Sequence, residues 1–500
     1  PRSTLYSSSS ASDVYKRQME LPLALTFDDV LLVPQESDVL PTEVETFTRF
    51  SRNVRLNIPL ASAAMDTVTE SRLAIALAQE GGIGIIHRNL SIEEQVREVE
   101  IVKRSAHGVI RDPLTMAPTG TVGEAREAMQ THNISGLPIV DENNKCVGIL
   151  TRRDLKFHGG DEQQASEVMT RDLVTAPPNT SLTDARKILS SQKVEKLVLL
   201  NADKSLAGLI TMRDIRMDSE YPNASKDSEG CLLAGAAIGT LDYERAEALV
   251  AAGVDVLVVD TAHGHSTNVI NTVRELKKRV DVDVVAGNIC TMEAAEALVA
   301  AGADGIKVGI GPGSICTTRV VAGVGMPQFS AVYQVSQFCN SSGVPVIADG
   351  GIRHSGDAVK ALGTGAECVM LGSLFAGVDE SPGEPFLYNG RSFKSVRGMG
   401  SLAAMVEGGK ARYGQAGVSE QQKLVPEGIE GMVPSRGPIA PFVYQFVGGI
   451  RSGMGYLGAK DLEMFRSRAS FVRITGAGVQ ENHPHDVQVT KEAPNYWKTN

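Results

Sequence analysis

The stretch DVVAGNICTMEAAEALVAAGADGIKVGI (283–310) contains two short apolar runs separated by a segment with helical periodicity. The runs DVVAGN (283–288) and GIKVGI (305–310) are continuous rather than alternating, which is typical of strands buried on both faces of a sheet. The segment between them, MEAAEALVAAGA (292–303), has the apolar spacing of a helix. A strand, a helix and a second strand in this order predict a parallel sheet covered by helices.

Six further apolar runs of this kind occur along the chain, and a helical pattern follows most of them. They are PLASAAMD (59–66), GIGIIH (82–87), LLAGAAIG (232–239), VDVLVVD (254–260), VPVIADGG (344–351) and CVMLGS (368–373). Eight strand–helix units predict the α/β class and, within it, a (β/α)8 TIM barrel. The alternative is a doubly wound open sheet, which is disfavoured because no GxGxxG motif opens a helix early in the chain.

The segment between GIGIIH (82–87) and LLAGAAIG (232–239) has a different pattern of apolar residues and contains an internal repeat. TVGEAREAMQTHNISGLPIVDENNKCVGILTRRDL (121–155) matches SLTDARKILSSQKVEKLVLLNADKSLAGLITMRDI (181–215) at a constant offset of 60 positions. Each copy opens with a capping-box pattern, Thr121/Glu124 and Ser181/Asp184. Two copies predict one paired module inserted into the barrel.

The composition is that of an ordinary globular protein, with 42% hydrophobic and 22% charged residues among 500. A formal net charge of −10 argues against nucleic acid as a partner, although it allows a local phosphate site. No apolar stretch reaches the roughly 18 residues that a membrane span requires. Six cysteines without regular spacing predict neither a disulfide framework nor a zinc site, which favours a reducing cytoplasm.

Candidate functional residues lie where the predicted strands end, which is where (β/α)8 barrels place their active sites. With the eight runs numbered in chain order, the fourth ends in Asp260, the fifth ends in Asn288, and the seventh has Asp349 near its end. Glycine-rich strand ends allow backbone N–H groups to approach an anion closely, and this predicts a phosphate cradle after the last two strands. Its residues are Gly350, Gly351, Gly372 and Ser373. The alternative is that these glycines serve only tight turns.

Cys316 lies in the loop GIGPGSICTT (309–318), among glycine, proline and serine residues that belong to loops rather than cores. A loop over the mouth of a barrel can present a thiol to a bound ring, so Cys316 is a candidate nucleophile. The residues alone leave open that it is a chance loop thiol, because reactivity depends on surroundings that a sequence does not show.

Five motifs resemble the inosine-5′-monophosphate dehydrogenase family, and the resemblance extends from about Leu21 to Asn500. They are GPGSICTTR (311–319), ADGGIRHSGD (348–357), VMLGSLFAG (369–377), RGMGS (397–401) and KLVPEGIEG (423–431). The resemblance implies NAD-dependent oxidation of inosine 5′-monophosphate (IMP) to xanthosine 5′-monophosphate (XMP), a step of guanine nucleotide synthesis. In that reaction the thiol of Cys316 attacks C2 of the hypoxanthine ring, hydride passes from C2 to NAD⁺, and water hydrolyses the thioimidate.

The resemblance also implies roles for further positions. Arg412 in ARYGQ (411–415) would be the family's unusual base for water activation, with Tyr413 beside it and Thr318 and Glu427 in a proton relay. Arginine rarely deprotonates, so a solvated charge or a phosphate contact is the plain alternative for Arg412. Asp349 would accept the ribose hydroxyls. The other implied substrate-binding residues are Ser314, Gly350, Gly351, Gly372, Ser373, Arg397, Gly398, Met399, Gly400 and Glu427.

For NAD⁺ and a potassium ion the resemblance implies two further sets of residues. Asp260 would contact the dinucleotide ribose, Asn288 would lie near the reacting ring, and Gly309, Ile310 and Gly311 would pass close to the nicotinamide. Loop carbonyls of Gly311, Gly313 and Cys316 would form one half of the potassium site, because carbonyl oxygens suit a hard monovalent cation. A neighbouring subunit would donate the other half, formed by Glu481, Asn482 and His483, which implies an oligomer. The resemblance implies a homotetramer, the usual state of the family.

The insert resembles tandem cystathionine-β-synthase (CBS) repeats, a Bateman module. This implies an adenine or guanine nucleotide as effector, with the Thr-x-x-Asp pattern present as Thr151/Asp154 and Thr211/Asp214. The alternative is a purely structural insert. We expect a non-native extension at residues 1–18, barrel segments at 19–111 and 221–500, and the regulatory module at 112–220.

Two departures from the family pattern affect details outside the chemical core. Val396 stands where a tyrosine usually reaches the phosphate, and Ser435-Arg436 replaces an aromatic–lysine pair. Guanosine monophosphate (GMP) reductase is the nearest alternative enzyme, and it commonly lacks the paired insert and the flap from ARYGQ to PEGIEG. A nucleotide sensor with an inactive barrel is the other alternative. The joint presence of four residues argues against it, namely Cys316, Thr318, Asp349 and Arg412.

Overall fold

The computed structural model describes residues 21–105, 110, 113–132, 134–157, 160–415, 417–418, 420–491 and 493–496, with the side chains of 214, 217 and 218 left out. Residues 1–18, expected to be a non-native extension, lie outside this range. Within it, eight parallel strands close into a barrel. They are β1 (Leu60–Ser62), β2 (Ile83–Ile86), β3 (Ala234–Ile238), β4 (Val256–Asp260), β5 (Asp283–Ile289), β6 (Gly305–Val308), β7 (Val346–Asp349) and β8 (Cys368–Leu371).

The strands follow one another around the barrel in chain order, and β8 pairs in parallel with β1, so the sheet has no free edge. The predicted (β/α)8 barrel is therefore confirmed, and the open-sheet alternative is wrong. All eight apolar runs contain the expected strand.

Eight helices of the described chain cover the outside of the barrel. They are α1 (Ser71–Gln79), α2 (Ile92–Ser105), α3 (Tyr243–Ala251), α4 (Thr267–Arg279), α5 (Met292–Ala300), α6 (Gln328–Ser342), α7 (Ser355–Thr364) and α8 (Ile439–Tyr456). Strand residues alternate between two layers, as the period of a strand requires. In β4, Leu257 and Val259 pack with the helices, whereas Val256 and Val258 belong to the cluster inside the barrel. None of the described helices is long and apolar enough to cross a membrane.

A short hairpin closes the amino-terminal end of the barrel. Its strands, Thr48–Arg49 and Arg55–Leu56, pair antiparallel, and Phe50 in its turn is fully buried with the interior cluster. Asp283, the first residue of β5, accepts hydrogen bonds from the Ser51 hydroxyl at 2.6 Å and the Asn53 N–H at 2.7 Å. With this end closed, the opposite end, where the strands finish, is the one available to ligands.

An antiparallel sheet follows β8 and supports the flap. Its strands are Phe386–Tyr388, Arg391–Arg397 and Glu430–Pro434, and between the last two lie a helix at Leu402–Val406 and a 3-10 helix at Gly409–Tyr413. Val396 is 2% exposed and belongs to the main hydrophobic core. Arg436 lies over the Phe442 ring, 5.3 Å from its centroid, and burial lowers the pKa of its guanidinium to about 10. Both departures from the family pattern are therefore packed into the protein.

The insert folds as two copies of one unit. The first contains a helix at Val122–Thr131, strands at Gly136–Val140 and Cys146–Thr151, and a helix at Arg152–Phe157. The second repeats this order at Leu182–Gln192, Lys196–Leu200, Leu206–Thr211 and Met212–Glu220, with short elements at Ala165–Val168 and Thr175–Ala176 between them. Ile149, Val198 and Leu209 form a buried cluster shared by the two copies.

The first capping box of the insert is present. The Thr121 hydroxyl accepts from Glu124 N–H at 3.2 Å, and the Glu124 carboxylate accepts from Thr121 N–H at 2.8 Å. In the second copy the Ser181 hydroxyl accepts from Asp184 N–H at 3.1 Å. Ile110 exchanges backbone hydrogen bonds of 2.9 and 2.8 Å with Leu209, so it pairs with the second copy of the insert.

Candidate active site

A cavity of about 140 Å³ lies at the carboxyl ends of the barrel strands. Its walls come from β4 to β8, from the loop after β6 and from the flap. The structure brings most of the predicted catalytic and dinucleotide residues to this one cavity. Those that line it are Asp260, Asn288, Gly309, Ile310, Gly311, Gly313, Cys316, Thr318, Asp349, Gly350, Gly398, Met399, Arg412, Tyr413 and Glu427. Ser314, Gly351, Gly372, Ser373, Arg397 and Gly400 do not line it.

Cys316 is half-buried in the loop between β6 and a single helical turn, Thr318–Val321. Its Sγ lies 3.2 Å from the Thr318 hydroxyl, and its N–H donates to the Gly313 carbonyl at 3.1 Å. The thiol is therefore held at the cavity wall by a tight turn, with a hydroxyl beside it that can exchange a proton.

Backbone hydrogen bonds join the cysteine loop to the flap. Thr317 N–H donates to the Glu427 carbonyl at 2.9 Å, and Ile429 N–H donates to the Ile315 carbonyl at 3.0 Å. Gly398 N–H donates in turn to the Ile429 carbonyl at 2.9 Å. This ladder places Glu427 next to the cysteine loop and the RGMG loop, although the residues come from distant parts of the sequence.

Arg412 reaches the barrel from the flap. Its guanidinium forms an ion pair with Asp260, and its carbonyl accepts from Ala262 N–H at 3.2 Å. Beside it, burial raises the pKa of the Tyr413 phenol. The Tyr413 ring lies against Gly400, where an added Cβ would approach the ring to 2.6 Å. The family resemblance gave these two residues separate roles, Arg412 in water activation and Asp260 in dinucleotide binding.

Sequence reasoning missed Lys307, which lines the cavity and has a 2% exposed side chain. Its ammonium donates to Asp260 Oδ1 at 2.9 Å and to Asp349 Oδ2 at 2.7 Å, and it also contacts Asn288. The signal was available, because a lysine in the middle of the otherwise apolar GIKV strand needs buried partners. Arg88, after β2, does not line the cavity. Burial lowers its pKa to about 10, and the charge of nearby Arg412 acts in the same direction.

The predicted phosphate cradle contains strand ends with unusual backbone conformations. Gly350 and Gly351 have φ angles of +87° and +79°, which favour glycine. Gly372 precedes the helical turn Ser373–Ala376, and a Cβ on it would lie 3.1 Å from Met65 Sδ. These loops therefore offer close access to backbone N–H groups rather than to side chains.

The Arg397 side chain is engaged elsewhere. Its guanidinium binds Asp66 at 2.8 Å and also pairs with Glu407, and these two carboxylates raise its pKa further above the usual range. Contacts of the RGMG loop with a phosphate would therefore come from its backbone.

The two halves of the predicted potassium site are not together in one chain. Gly311, Gly313 and Cys316 line the cavity, whereas Glu481 ends a helix at Gly476–Glu481 and lines a separate open cavity. His483 Nδ1 lies 3.1 Å from the Tyr496 hydroxyl, outside the barrel mouth cavity. Among the described residues there is also no group of three or more His, Cys, Asp or Glu that could hold a metal ion.

Gly309→Ala should destabilise the protein, because the loop after β6 passes too close to β7 for a side chain. Gly309 has a φ of +151°, and its Cβ would lie 2.1 Å from the Asp349 carbonyl oxygen. We expect a loss of about 1–3 kcal/mol, visible as a lower melting temperature. Gly356→Ala is the matched control, because no atom lies within 4 Å of its added Cβ and the residue is helical. Equal melting temperatures for the two variants would contradict this account of the loop.

The chain is similar to known proteins over most of its length. The family model described as the IMP dehydrogenase / GMP reductase domain matches residues 24–485. Inosine-5′-monophosphate dehydrogenase of Rhodopirellula baltica is 56% identical over 95% of this chain and 88% of its own length, and that of Bacillus subtilis is 54% identical over 94% and 97%.

The chain also resembles solved structures of a related enzyme. A cysteine-to-alanine variant of GMP reductase from Trypanosoma brucei, in complex with guanosine 5′-monophosphate, is 44% identical with a TM-score of 0.84. The match covers 94% of this chain and all of the other, so it includes the insert. The insert therefore does not separate the reductase from the dehydrogenase, contrary to the expectation from the sequence. From the family match over nearly its whole length, the chain belongs to the IMP dehydrogenase / GMP reductase family.

Proposed function

We propose that this protein oxidises IMP to XMP with NAD⁺ through a covalent intermediate on Cys316. The observation that supports this most directly is that Cys316 lines one cavity together with Asp349, Asn288 and the flap residue Arg412. Relatives more than 50% identical over nearly the whole chain are named for this activity, which favours the dehydrogenase over the reductase.

The substrate would be held by groups whose chemistry matches its parts. The N–H groups of the glycine loops after β7 and β8, and of the RGMG loop, suit the phosphate. The Asp349 carboxylate suits the ribose diol, and it lines the cavity together with Cys316. The thiol of Cys316 releases its proton as its sulfur bonds to C2 of the base, and the C2–H bond then breaks with its electron pair leaving as hydride. One proton is therefore released for each hydride transferred.

NAD⁺, when bound, accepts that hydride. Asp260 and the glycines of the loop after β6 fit this ligand, because a carboxylate can accept from ribose hydroxyls and a wall without side chains admits a flat ring. In the structure, Arg412 occupies one oxygen of Asp260. The flap and the dinucleotide therefore use the same carboxylate, so the flap reaches its position only after the dinucleotide has left.

Hydrolysis would use the arrangement in which the flap lies at the barrel mouth and Arg412 pairs with Asp260. Water adds to C2, the carbon–sulfur bond breaks, and the thiol is regenerated as XMP forms. Arg412, with Tyr413 beside it, lines the cavity that also contains Thr318 and Glu427, so these groups can take the proton of the water. This water-activating role for arginine rests on the family resemblance.

An absorbance assay at 340 nm tests the proposal. The protein with IMP and NAD⁺ should form NADH, and with GMP and NADPH it should consume no reductant. Consumption of NADPH with GMP and no NADH from IMP would assign the reductase activity instead. The same assay with and without potassium tests a second proposal, that the enzyme binds a potassium ion. The ion would lie between two copies of the chain, with Gly311, Gly313 and Cys316 from one copy and Glu481, Asn482 and His483 from the other. We propose that these copies belong to a homotetramer in the cytoplasm.

For the insert we propose a regulatory role in which residues 112–220 bind an adenine or guanine nucleotide. A cavity of about 450 Å³ supports this, because it is rich in cationic side chains that suit phosphates. Residues lining it include Arg186, Lys196, Arg213 and Arg216 of the second copy and Ser135 of the first. Thr211 also lines it, whereas the Asp214 side chain lies outside the described residues. In the first copy the Thr151 hydroxyl donates to Asp154 at 2.6 Å.

Deletion of residues 112–220 should leave NADH formation largely intact and abolish any response to ATP or GTP. None of the eight barrel strands lies in this segment. Steady-state rates measured over a nucleotide titration check both parts. Arg213→Ala in the full chain is the point-variant control and should weaken only the nucleotide response. A folded deletion variant that forms no NADH would make the insert part of the catalytic machinery.

A further inference from the structure

Lys307 is a buried cation bound on three sides by residues of the site. Its neighbours in β6, Ile306 and Val308, pack toward the helices, so the strand turns Lys307 into the barrel. Its Nζ donates to Asp260, Asn288 and Asp349, at the ends of β4, β5 and β7. An ammonium group has three N–H donors, and these three acceptors use all of them.

The contacts fix which oxygen of Asp349 remains for a ligand. Asp349 Oδ2 accepts from Lys307 at 2.7 Å and from Asn288 Nδ2 at 2.9 Å. Asn288 Nδ2 donates also to the Gly309 carbonyl at 2.7 Å, so the amide is held in one orientation. Because Asp349 lines the cavity and Oδ2 is engaged twice, Oδ1 is the oxygen left to accept from a ligand.

The two carboxylate oxygens of Asp260 also have different partners. Its Oδ1 accepts from Lys307 at 2.9 Å, and its Oδ2 pairs with Arg412 of the flap. Two carboxylates around one buried point repel each other unless a cation lies between them. When Arg412 leaves Asp260, Lys307 is the cation that still holds both Asp260 and Asp349.

We infer that Lys307 is the positioning residue for both nucleotide riboses. It fixes Asp349 and Asp260 so that one free carboxylate oxygen of each faces a pair of ribose hydroxyls, those of IMP at Asp349 and those of NAD⁺ at Asp260. The inference rests on the proposed function, from which it takes the two ribose groups. Lys307 itself transfers no proton in this role.

Discrimination between ribose and deoxyribose substrates tests the inference. The unaltered enzyme should prefer IMP over 2′-deoxy-IMP or 3′-deoxy-IMP by about 10- to 150-fold in kcat/KM, the usual effect of a hydrogen bond to a charged group. In Lys307→Met this preference should fall close to one, and the KM for NAD⁺ should rise. A purely structural role would lower kcat/KM equally for both nucleotides and leave their ratio unchanged.

Matched variants separate positioning from stability. Lys394→Met removes a lysine that is 1% exposed and bound by the carbonyls of Val378 and Ser381, so it should lower stability without changing the ratio. Lys307→Arg keeps the charge and several donors and should restore part of the preference for IMP. Lys307→Gln removes the charge but keeps a polar side chain with two N–H donors, and its ratio decides the matter if Lys307→Met does not fold.

The outcomes distinguish the inference from the function on which it rests. No NADH from IMP with the unaltered enzyme contradicts the proposed function. NADH formation by the unaltered enzyme, together with an unchanged preference for IMP in the folded Lys307 variants, overturns the positioning role alone.

Discussion

Cys316→Ser should abolish NADH formation from IMP, with a loss of more than about 10⁴-fold, as for removal of other catalytic nucleophiles. A serine hydroxyl at this position is a far weaker nucleophile than a thiol, and no base that would activate it contacts Cys316 Sγ among the described residues. The backbone hydrogen bond from residue 316 to the Gly313 carbonyl does not depend on the side chain. The variant should therefore still bind IMP, measurable by isothermal titration calorimetry.

Cys290→Ser is the matched control for this experiment. Cys290 is also half-buried, and burial raises the pKa of its thiol, which makes it a poor nucleophile. Its variant should form NADH at a rate close to that of the unaltered enzyme. Turnover by Cys316→Ser at a similar rate would remove Cys316 from the chemistry, and loss of IMP binding would indicate a damaged loop instead.

The barrel could be predicted from the sequence because its strands are buried on both faces. Each strand then becomes a short continuous apolar run, as in VDVLVVD, and the run is distinct from the helical patterns around it. The strands also follow one another around the barrel in chain order, so the order of the runs in the sequence already predicts which strands are neighbours. The pairing of Ile110 with Leu209 could not be predicted, because it is a long-range contact without a local signal in the sequence.

The site could be predicted only in part, because its residues meet through tertiary contacts. Residues at strand ends, such as Asp260 and Asp349, were found because the barrel places all strand ends at one face. The ion pair of Arg412 with Asp260 joins the flap to β4 and depends on how the flap folds, which no spacing in the sequence reveals. The ion pair of Arg397 with Asp66 is likewise a tertiary contact, and the RGMG motif does not predict it.

Arg412→Ala should separate the two chemical steps of the proposed reaction. Hydride transfer requires Cys316, the base and NAD⁺, whereas hydrolysis requires a water activated after the dinucleotide has left Asp260. Only the second step uses Arg412, so steady-state turnover should fall by about 10²- to 10⁴-fold, the usual contribution of a general base, while the first hydride transfer remains fast. The ladder between Thr317, Ile315 and the flap residues Glu427 and Ile429 uses backbone atoms and should survive the substitution.

Rapid mixing of Arg412→Ala with IMP and NAD⁺ should therefore give a burst of NADH close to one per active site, followed by a slow phase. Mass spectrometry under denaturing conditions should find the nucleotide attached to Cys316, because an intermediate that forms quickly and decays slowly accumulates. Lys410→Ala is the matched control, since Lys410 lies in the same 3-10 helix and its ammonium binds the Val418 carbonyl at 3.2 Å rather than Asp260. Slow NADH formation from the first turnover, with no adduct, would place Arg412 in binding or hydride transfer rather than in water activation.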